Sequence, residues 1–252
     1  MRYALLLSYD GTNYGGWQIQ KNAVTVQEKL TSALEETLGY KVNITASGRT
    51  DSGVHASAQV CHFDADTTIP PEKFADAFNF RLPDDISVLK SVRAPEGFDA
   101  VKSAKRKTYC YRVYISPQRL PLKDRYSVRI KFPIDVEKLC ECAKMFEGEH
   151  DFFAYCASGS QVKTTVRTIY SVEVKTQITG DVLEIGIYVT GNGFLYNMVR
   201  TLAGTMLYYS AGRISREDIA RSIEGRDRSA VGKTMPANGL TLESVDYGIE
   251  LF

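Results

Sequence analysis

The chain has 252 residues, 44% of them hydrophobic, and a net charge of +1. That is enough apolar material for one large or two ordinary globular domains, and too little net charge to mark the whole surface as a polyanion binder. Five cysteines, an odd number with no Cys-x-x-Cys spacing, argue against a disulfide scaffold and read as reduced thiols. The N-terminal apolar run is too short for a signal peptide, and no uncharged apolar segment could span a bilayer. A soluble, cytoplasmic protein without membrane contact is expected.

Arg2–Tyr9 reads as a strand ended by Asp10-Gly11, and the following loop holds Tyr14-Gly15-Gly16-Trp17-Gln18 with the sole tryptophan. Thr25 and Glu28 have the form of a capping box. Val26, Leu30, Ala33, Leu34 and Leu38 then recur at helical spacing until Gly39. Strands are expected at Lys41–Ala46 and Ser57–Phe63, a helix from Pro70-Pro71 through Phe78, and a strand at Ile86–Arg93. The second half repeats this order. A strand at Thr108–Ile115 precedes a helix from Asp135 to Phe146, and Val166–Lys175 and Leu183–Thr190 form a hairpin around Gly180-Asp181. A helix spans Leu195–Tyr209, another follows Ser215, and Leu240–Tyr247 is the last strand. Each half is thus β-α-β-β-α-β, with one helix inserted in the second. The expectation is an α+β fold of two ferredoxin-like (split β-α-β) halves, residues 1–104 and 105–252, with mainly antiparallel sheets meeting at a central cleft.

The densest cluster of small, polar and ionisable residues is Ser47-Gly48-Arg49-Thr50-Asp51-Ser52-Gly53-Val54-His55-Ala56. Two glycines permit unusual backbone angles and close approach by another molecule, with a guanidinium, a hydroxyl and a carboxylate between them. On its own it is either a charged hairpin loop or a functional site.

A second local feature is charge. From Val101 to Lys131 there are ten basic residues against the single acid Asp124, a local +9, so the remainder carries −8. Lys105, Arg106 and Lys107 are consecutive within the run, and Tyr109, Tyr111, Tyr114 and Tyr126 are interleaved with it. Cations with flat aromatic side chains suit a polyanion with exposed bases, although a charge run can also be a solvated face.

Other patterns fail on spacing. Gly232-Lys233-Thr234 ends like a phosphate-binding loop, but Asp227 stands where its first glycine is required. Gly191-Asn192-Gly193 lacks a third glycine and reads as a turn. His55, His62 and His150 have no metal-ligand spacing, so no metal is expected.

The Gly48–Ala56 loop closely resembles the signature of the tRNA pseudouridine synthase A family. Tyr14–Gln18, Val26-Gln27-Glu28, Lys107–Tyr111, Gly148-Glu149-His150-Asp151-Phe152, Gly193–Arg200 and Ala237-Asn238-Gly239-Leu240 resemble further motifs of that family, in order along the chain. One departure is Ala100-Val101-Lys102, where members often have Ala-Arg followed by an aromatic.

The resemblance implies isomerisation of uridine to pseudouridine at positions 38 to 40 of the tRNA anticodon stem-loop, no cofactor, and a symmetric homodimer. It also implies an essential carboxylate, which falls on Asp51. A carboxylate could act on C1′ as nucleophile, or abstract a proton to give a glycal. By the same carry-over Arg200 supplies the guanidinium that opposes desolvation of Asp51. Tyr109 could stack on uracil or be an ordinary core tyrosine, and the resemblance also offers its hydroxyl for the C5 proton. Leu240 would wall the base pocket. Arg49 is read as a phosphate contact or as holding the RNA open, with Lys105, Arg106 and Lys107 as further phosphate contacts. His55 is read as a structural hydrogen-bonder. A uridine in a stem is out of reach, so the target nucleotide is expected to be flipped out.

Overall fold

A computed structural model describes residues 1–157 and 162–252. In chain order its strands are β1 (Arg2–Tyr9), β2 (Thr45–Ala46), β3 (His55–Asp64), β4 (Ile86–Arg93), β5 (Arg106–Ile115), β6 (Val128–Arg129), β7 (Gly148–Asp151), β8 (Val166–Thr179), β9 (Val182–Gly191) and β10 (Leu240–Asp246). The α-helices are α1 (Val26–Leu38), α2 (Phe74–Asn79), α3 (Val136–Lys144), α4 (Met198–Ser210) and α5 (Arg216–Glu224). The result is a mixed α+β fold. It divides into two compact units: Met1–Lys107 together with Thr241–Phe252, and Thr108–Leu240.

In the first unit β1 runs antiparallel to both β3 and β4. The other edge of β3 is shared. β2 pairs antiparallel at Thr45↔His62 and Ala46↔Cys61, and β10 pairs parallel at Thr241↔His55 and Leu242↔Ala56. The loop from β2 back to β3 therefore opens where β3 changes partner. Thr25 and Glu28 form the expected capping box, and α1 buries Val26, Leu30, Ala33 and Leu34. A separate aromatic core is made by Tyr3, Phe63, Phe74 and Phe78, whose neighbouring rings lie 4.8 to 6.3 Å apart. Element order alone puts the last strand with the second half, whereas residues from Thr241 onward group with the first unit.

In the second unit the sheet order is β5-β9-β8-β7, with β6 parallel to β5. β8 is antiparallel to both β7 and β9, and α3 packs on α4 and β8. α4 is buried nearly all round. The segment beside it approaches so closely that a Cβ on Gly204 would lie 1.9 Å from the Lys233 carbonyl, and one on Gly232 2.6 Å from the Thr205 nitrogen. This is the physical reason for glycine in Gly232-Lys233-Thr234. It lets the chain lie along α4, where Met235 N–H donates to the Arg200 carbonyl at 3.3 Å.

Among the differences from the sequence reading, three have a clear local reason. The strand expected at Lys41–Ala46 is reduced to Thr45–Ala46, because the Ile44 carbonyl accepts from the Gln27 side chain at 2.9 Å instead of entering a ladder. The helix expected from Leu195 begins at Met198, because Asn197 is left-handed (φ 63°) and interrupts helical geometry. The short strands β6 and β7 carry no apolar alternation, the pattern by which a strand is read from sequence. Among the described residues, no helix is long and apolar enough to cross a membrane.

Candidate active site

In the first unit the loop Ser47–Val54 is tied down through its backbone. Ser47 N–H donates to the Val60 carbonyl at 2.7 Å, extending the β2–β3 pairing by one step. Buried Gln59 then holds two consecutive residues: its Oε1 accepts from Ser47 Oγ at 2.6 Å, and its Nε2 donates to the Gly48 carbonyl at 2.9 Å. Lys107 Nζ donates to the Ser47 carbonyl at 2.6 Å. Burial pushes the pKa of this ammonium below its ordinary value.

The far side of the loop is held by the Tyr14–Trp17 segment. Trp17 N–H donates to the Thr50 carbonyl at 3.0 Å, and Gly53 N–H to the Tyr14 carbonyl at 3.3 Å. The hydroxyls of Tyr9 and Thr50 are 2.8 Å apart. Gly16 sits at φ 97°, and a Cβ there would stand 2.5 Å from the Thr50 carbonyl oxygen. Both the backbone angle and the approach require glycine. Asp51 is half-buried at the turn, its carbonyl accepting from Val54 N–H at 3.1 Å, and Arg49 is exposed. His55 is buried, its Nδ1 lying 3.0 Å from Gly11 N and 3.1 Å from the Asp10 carboxylate. It anchors the start of β3 to the end of β1, as a structural hydrogen-bonder would.

The second unit carries the other residues singled out from sequence. Tyr109 is buried on β5, with the Phe194 ring edge-on at 5.2 Å and 86°. Two residues along, Tyr111 donates to the Pro236 carbonyl at 2.8 Å. A Cβ on Gly239 would lie 2.8 Å from the Tyr111 ring, so the 237–239 turn closes directly onto β5 before buried Leu240. Arg200, in the first turn of α4, is oriented at two points. Its Nε donates to the Met235 carbonyl and its Nη1 to Asn197 Oδ1, both at 2.7 Å. Burial raises the Tyr111 pKa, and the positive charge of Arg200 partly offsets that rise.

The basic stretch is more divided than its sequence suggests. Lys105 and Arg106 are exposed, whereas Lys107 is half-buried against the loop. Lys123 pairs with Glu184 at 2.7 Å, Arg119 with Asp124, and Arg129 donates to the Ser116 carbonyl at 3.0 Å. Part of the +9 is therefore neutralised or tied within the fold. Sequence reasoning missed Tyr9, Gln59, Asn197 and the Met235 carbonyl as supports. Gln59, a polar residue between Ala58 and the apolar pair Val60-Cys61, and Asn197, inside the Gly193–Arg200 motif, carried signals that could have found them. Among the described residues, no group of three or more His, Cys, Asp or Glu is placed to hold a metal ion.

The family model for tRNA pseudouridine synthase matches residues 6–101 and 142–248. The interval between these stretches contains most of the basic segment. The tRNA pseudouridine synthase A of Ruminiclostridium cellulolyticum is 48% identical over 243 residues, covering 96% of this chain and 98% of that protein. Proteins of the same name from Clostridium acetobutylicum and Caldicellulosiruptor bescii are each 42% identical; they cover 96% and 98% of this chain, and 98% and 100% of their own lengths. Matched in both units and at these identities, the chain belongs to the tRNA pseudouridine synthase A family, isomerases that form pseudouridine in tRNA.

Proposed function

We propose that this enzyme acts on uridines 38 to 40 of the tRNA anticodon stem-loop, with Asp51 as the essential carboxylate acting on a flipped-out nucleotide. The supporting observation is the bracing of the Asp51 loop. Lys107, Gln59, Tyr9 and the Trp17 backbone fix it from both sides, which is the rigidity a positioned reactive group needs.

The reaction breaks the N1–C1′ bond, turns the uracil, joins C5 to C1′, releases the C5 proton and leaves a proton on N1, so that the product is an isomer of the substrate. Nothing is oxidised and no group leaves the substrate, so the chemistry calls for no redox cofactor. Asp51 attacks C1′ or removes a sugar proton to give a glycal. Arg200 supplies the guanidinium that favours an ionised carboxylate, and its two anchors support that role. Tyr109 stacks on the base, with Leu240 as an apolar wall. Arg49, Lys105 and Arg106 are exposed and bind phosphates, replacing part of the few kcal/mol lost on flipping.

The strand order β4-β1-β3 with β2 beside β3, and two intervening helices, supports a ferredoxin-like reading of the first half. The enzyme works as a cytoplasmic homodimer on this reading, which sedimentation with and without tRNA tests.

Tritium release from tRNA labelled at uracil C5 tests the chemistry, and pseudouridine mapping of the product tests the positions. Release by the wild type and none by Asp51→Ala, with tRNA affinity kept within about threefold, is the expected pattern. Persistent release by Asp51→Ala removes Asp51 from the chemistry. Pseudouridine outside the anticodon arm removes the assigned positions.

A further inference from the structure

The second unit contains a charged cavity that the uridine chemistry leaves unused. It measures about 440 Å³, and its lining includes Asp151, Phe153, Lys163, Thr165, Arg226 and Arg228. Three cations face one carboxylate, a local excess of +2. That carboxylate is turned onto the protein's own donors. Asp151 Oδ1 accepts from Phe153 N–H at 3.1 Å and from the Thr165 hydroxyl, while Oδ2 lies 3.3 Å from Arg226 Nε.

The two guanidiniums converge on a single ring. Arg226 lies 4.2 Å and Arg228 4.7 Å from the Phe153 centroid. Each gains from the ring face, but gathering like charges costs Coulomb energy that an anion between them would reverse. Planar guanidiniums also match phosphate oxygens better than an ammonium does. Ala157, on the cavity's rim, donates its N–H to the carbonyl of Tyr196 at 3.0 Å, two residues before α4 and four before Arg200. Tyr196 is itself half exposed, at 52%.

We propose that this cavity is a subsite for a phosphodiester of the RNA backbone, held by Arg226, Arg228 and Lys163 and framed by the Phe153 ring. The inference rests on the reading of the chain as an enzyme that acts on tRNA. It adds a contact in the second unit to those proposed for the exposed Lys105 and Arg106 of the first.

The test is the salt dependence of binding to unmodified tRNA, measured by filter binding or anisotropy on the full-length protein. Each lost phosphate contact lowers the slope of log K against log salt by about 0.7 to 0.9. Lys163→Gln/Arg228→Gln should therefore lower it by about 1.4 to 1.8, with the thermal midpoint near that of the wild type. Lys163→Gln alone, on an exposed side chain, should lower it by about 0.7 to 0.9, and it serves if the double variant does not fold. An unchanged slope in the folded variants, alongside a steep slope for the wild type, overturns the subsite. Stabilisation of the wild type by inorganic phosphate at constant ionic strength, with the slope unchanged in the variants, makes it a free-anion site and also overturns the proposal. Tritium release is scored separately. Its absence with the slope lowered as stated would count against the uridine chemistry and leave the phosphodiester subsite supported.

Discussion

Lys107 donates its ammonium to the carbonyl of Ser47 at 2.6 Å, four residues before Asp51. Burial disfavours the charged form of this lysine, so the fold holds a desolvated cation in place against a solvation cost. The same turn is gripped one residue later by Gln59 at the Gly48 carbonyl. The fixed backbone they produce leads directly to the carboxylate. Lys107 thus joins the two features most visible in the sequence, the signature loop and the basic run, through a contact within the protein.

A lysine in that position should act on rate more than on affinity. Lys107→Met is expected to lower kcat about tenfold or more through misplacement of the loop, with KM for tRNA within about threefold. The contrasting set is Lys105→Gln/Arg106→Gln, both exposed, which should raise KM and flatten the salt slope by about 1.4 to 1.8. Steady-state kinetics at two salt concentrations separate them. A raised KM with intact kcat for Lys107→Met would make that residue an RNA contact.

Gly16 offers a sharper test of the bracing. Alanine there combines a left-handed backbone (φ 97°) with a Cβ 2.5 Å from the Thr50 oxygen. Gly97 is the control, since it is also left-handed (φ 73°) but meets nothing within 4 Å. Gly97→Ala should cost about 1 to 2 kcal/mol from backbone strain alone, and Gly16→Ala clearly more, with a fall in kcat. Urea unfolding of both variants gives the comparison, and equal losses would mean that the loop yields to the added methyl.

Much of this arrangement was legible in the sequence, and the rest was hidden for identifiable reasons. Periodicity and caps located α1, α5 and β4 because each is set by local signals, such as Thr25 with Glu28 and Ser215 with Asp218. The pairing of β10 with β3 at Thr241↔His55 links residues nearly two hundred positions apart, and no local pattern announces such a contact. Asp51 and Arg200 stood out through their motifs. The supports at Met235 and Gly48 are backbone carbonyls, which every residue possesses and no side-chain pattern reveals. The +9 of the basic run was visible as a sum. Its partition depends on tertiary partners such as Glu184, sixty-one residues beyond Lys123.

Alkaline titration should expose the buried tyrosines. Burial raises Tyr9 to about 12, and it raises Tyr14, Tyr111, Tyr155 and Tyr247 as well. In the unfolded chain these groups ionise near 10. A folded pKa above the unfolded one gives stability that is complete below pH 10 and is lost as pH rises through the folded value. The thermal midpoint should therefore fall steadily from about pH 10 upward. At the same time, the 295 nm absorbance of the folded protein should show only part of its 15 tyrosines ionising near 10. Tyr9→Phe should make the alkaline decline shallower. An unchanged decline would place the loss in other groups.

The two anchors of Arg200 predict a coupled pair. Nε holds the Met235 carbonyl and Nη1 holds Asn197, so the guanidinium is fixed by a fork that one lysine nitrogen cannot reproduce. Arg200→Lys should cost about a hundred- to a thousandfold in kcat, the scale seen when one oriented electrostatic group is lost. Asn197→Gly tests the anchor with little backbone penalty, because Asn197 is already left-handed at φ 63° and glycine accepts that conformation. Its expected cost is about tenfold in single-turnover tritium release, with binding retained. If Asn197 acts by positioning Arg200, the double variant should be no slower than Arg200→Lys alone, since the anchored group is already gone. Full multiplication of the two effects would show that Asn197 contributes to the reaction by a route independent of the arginine.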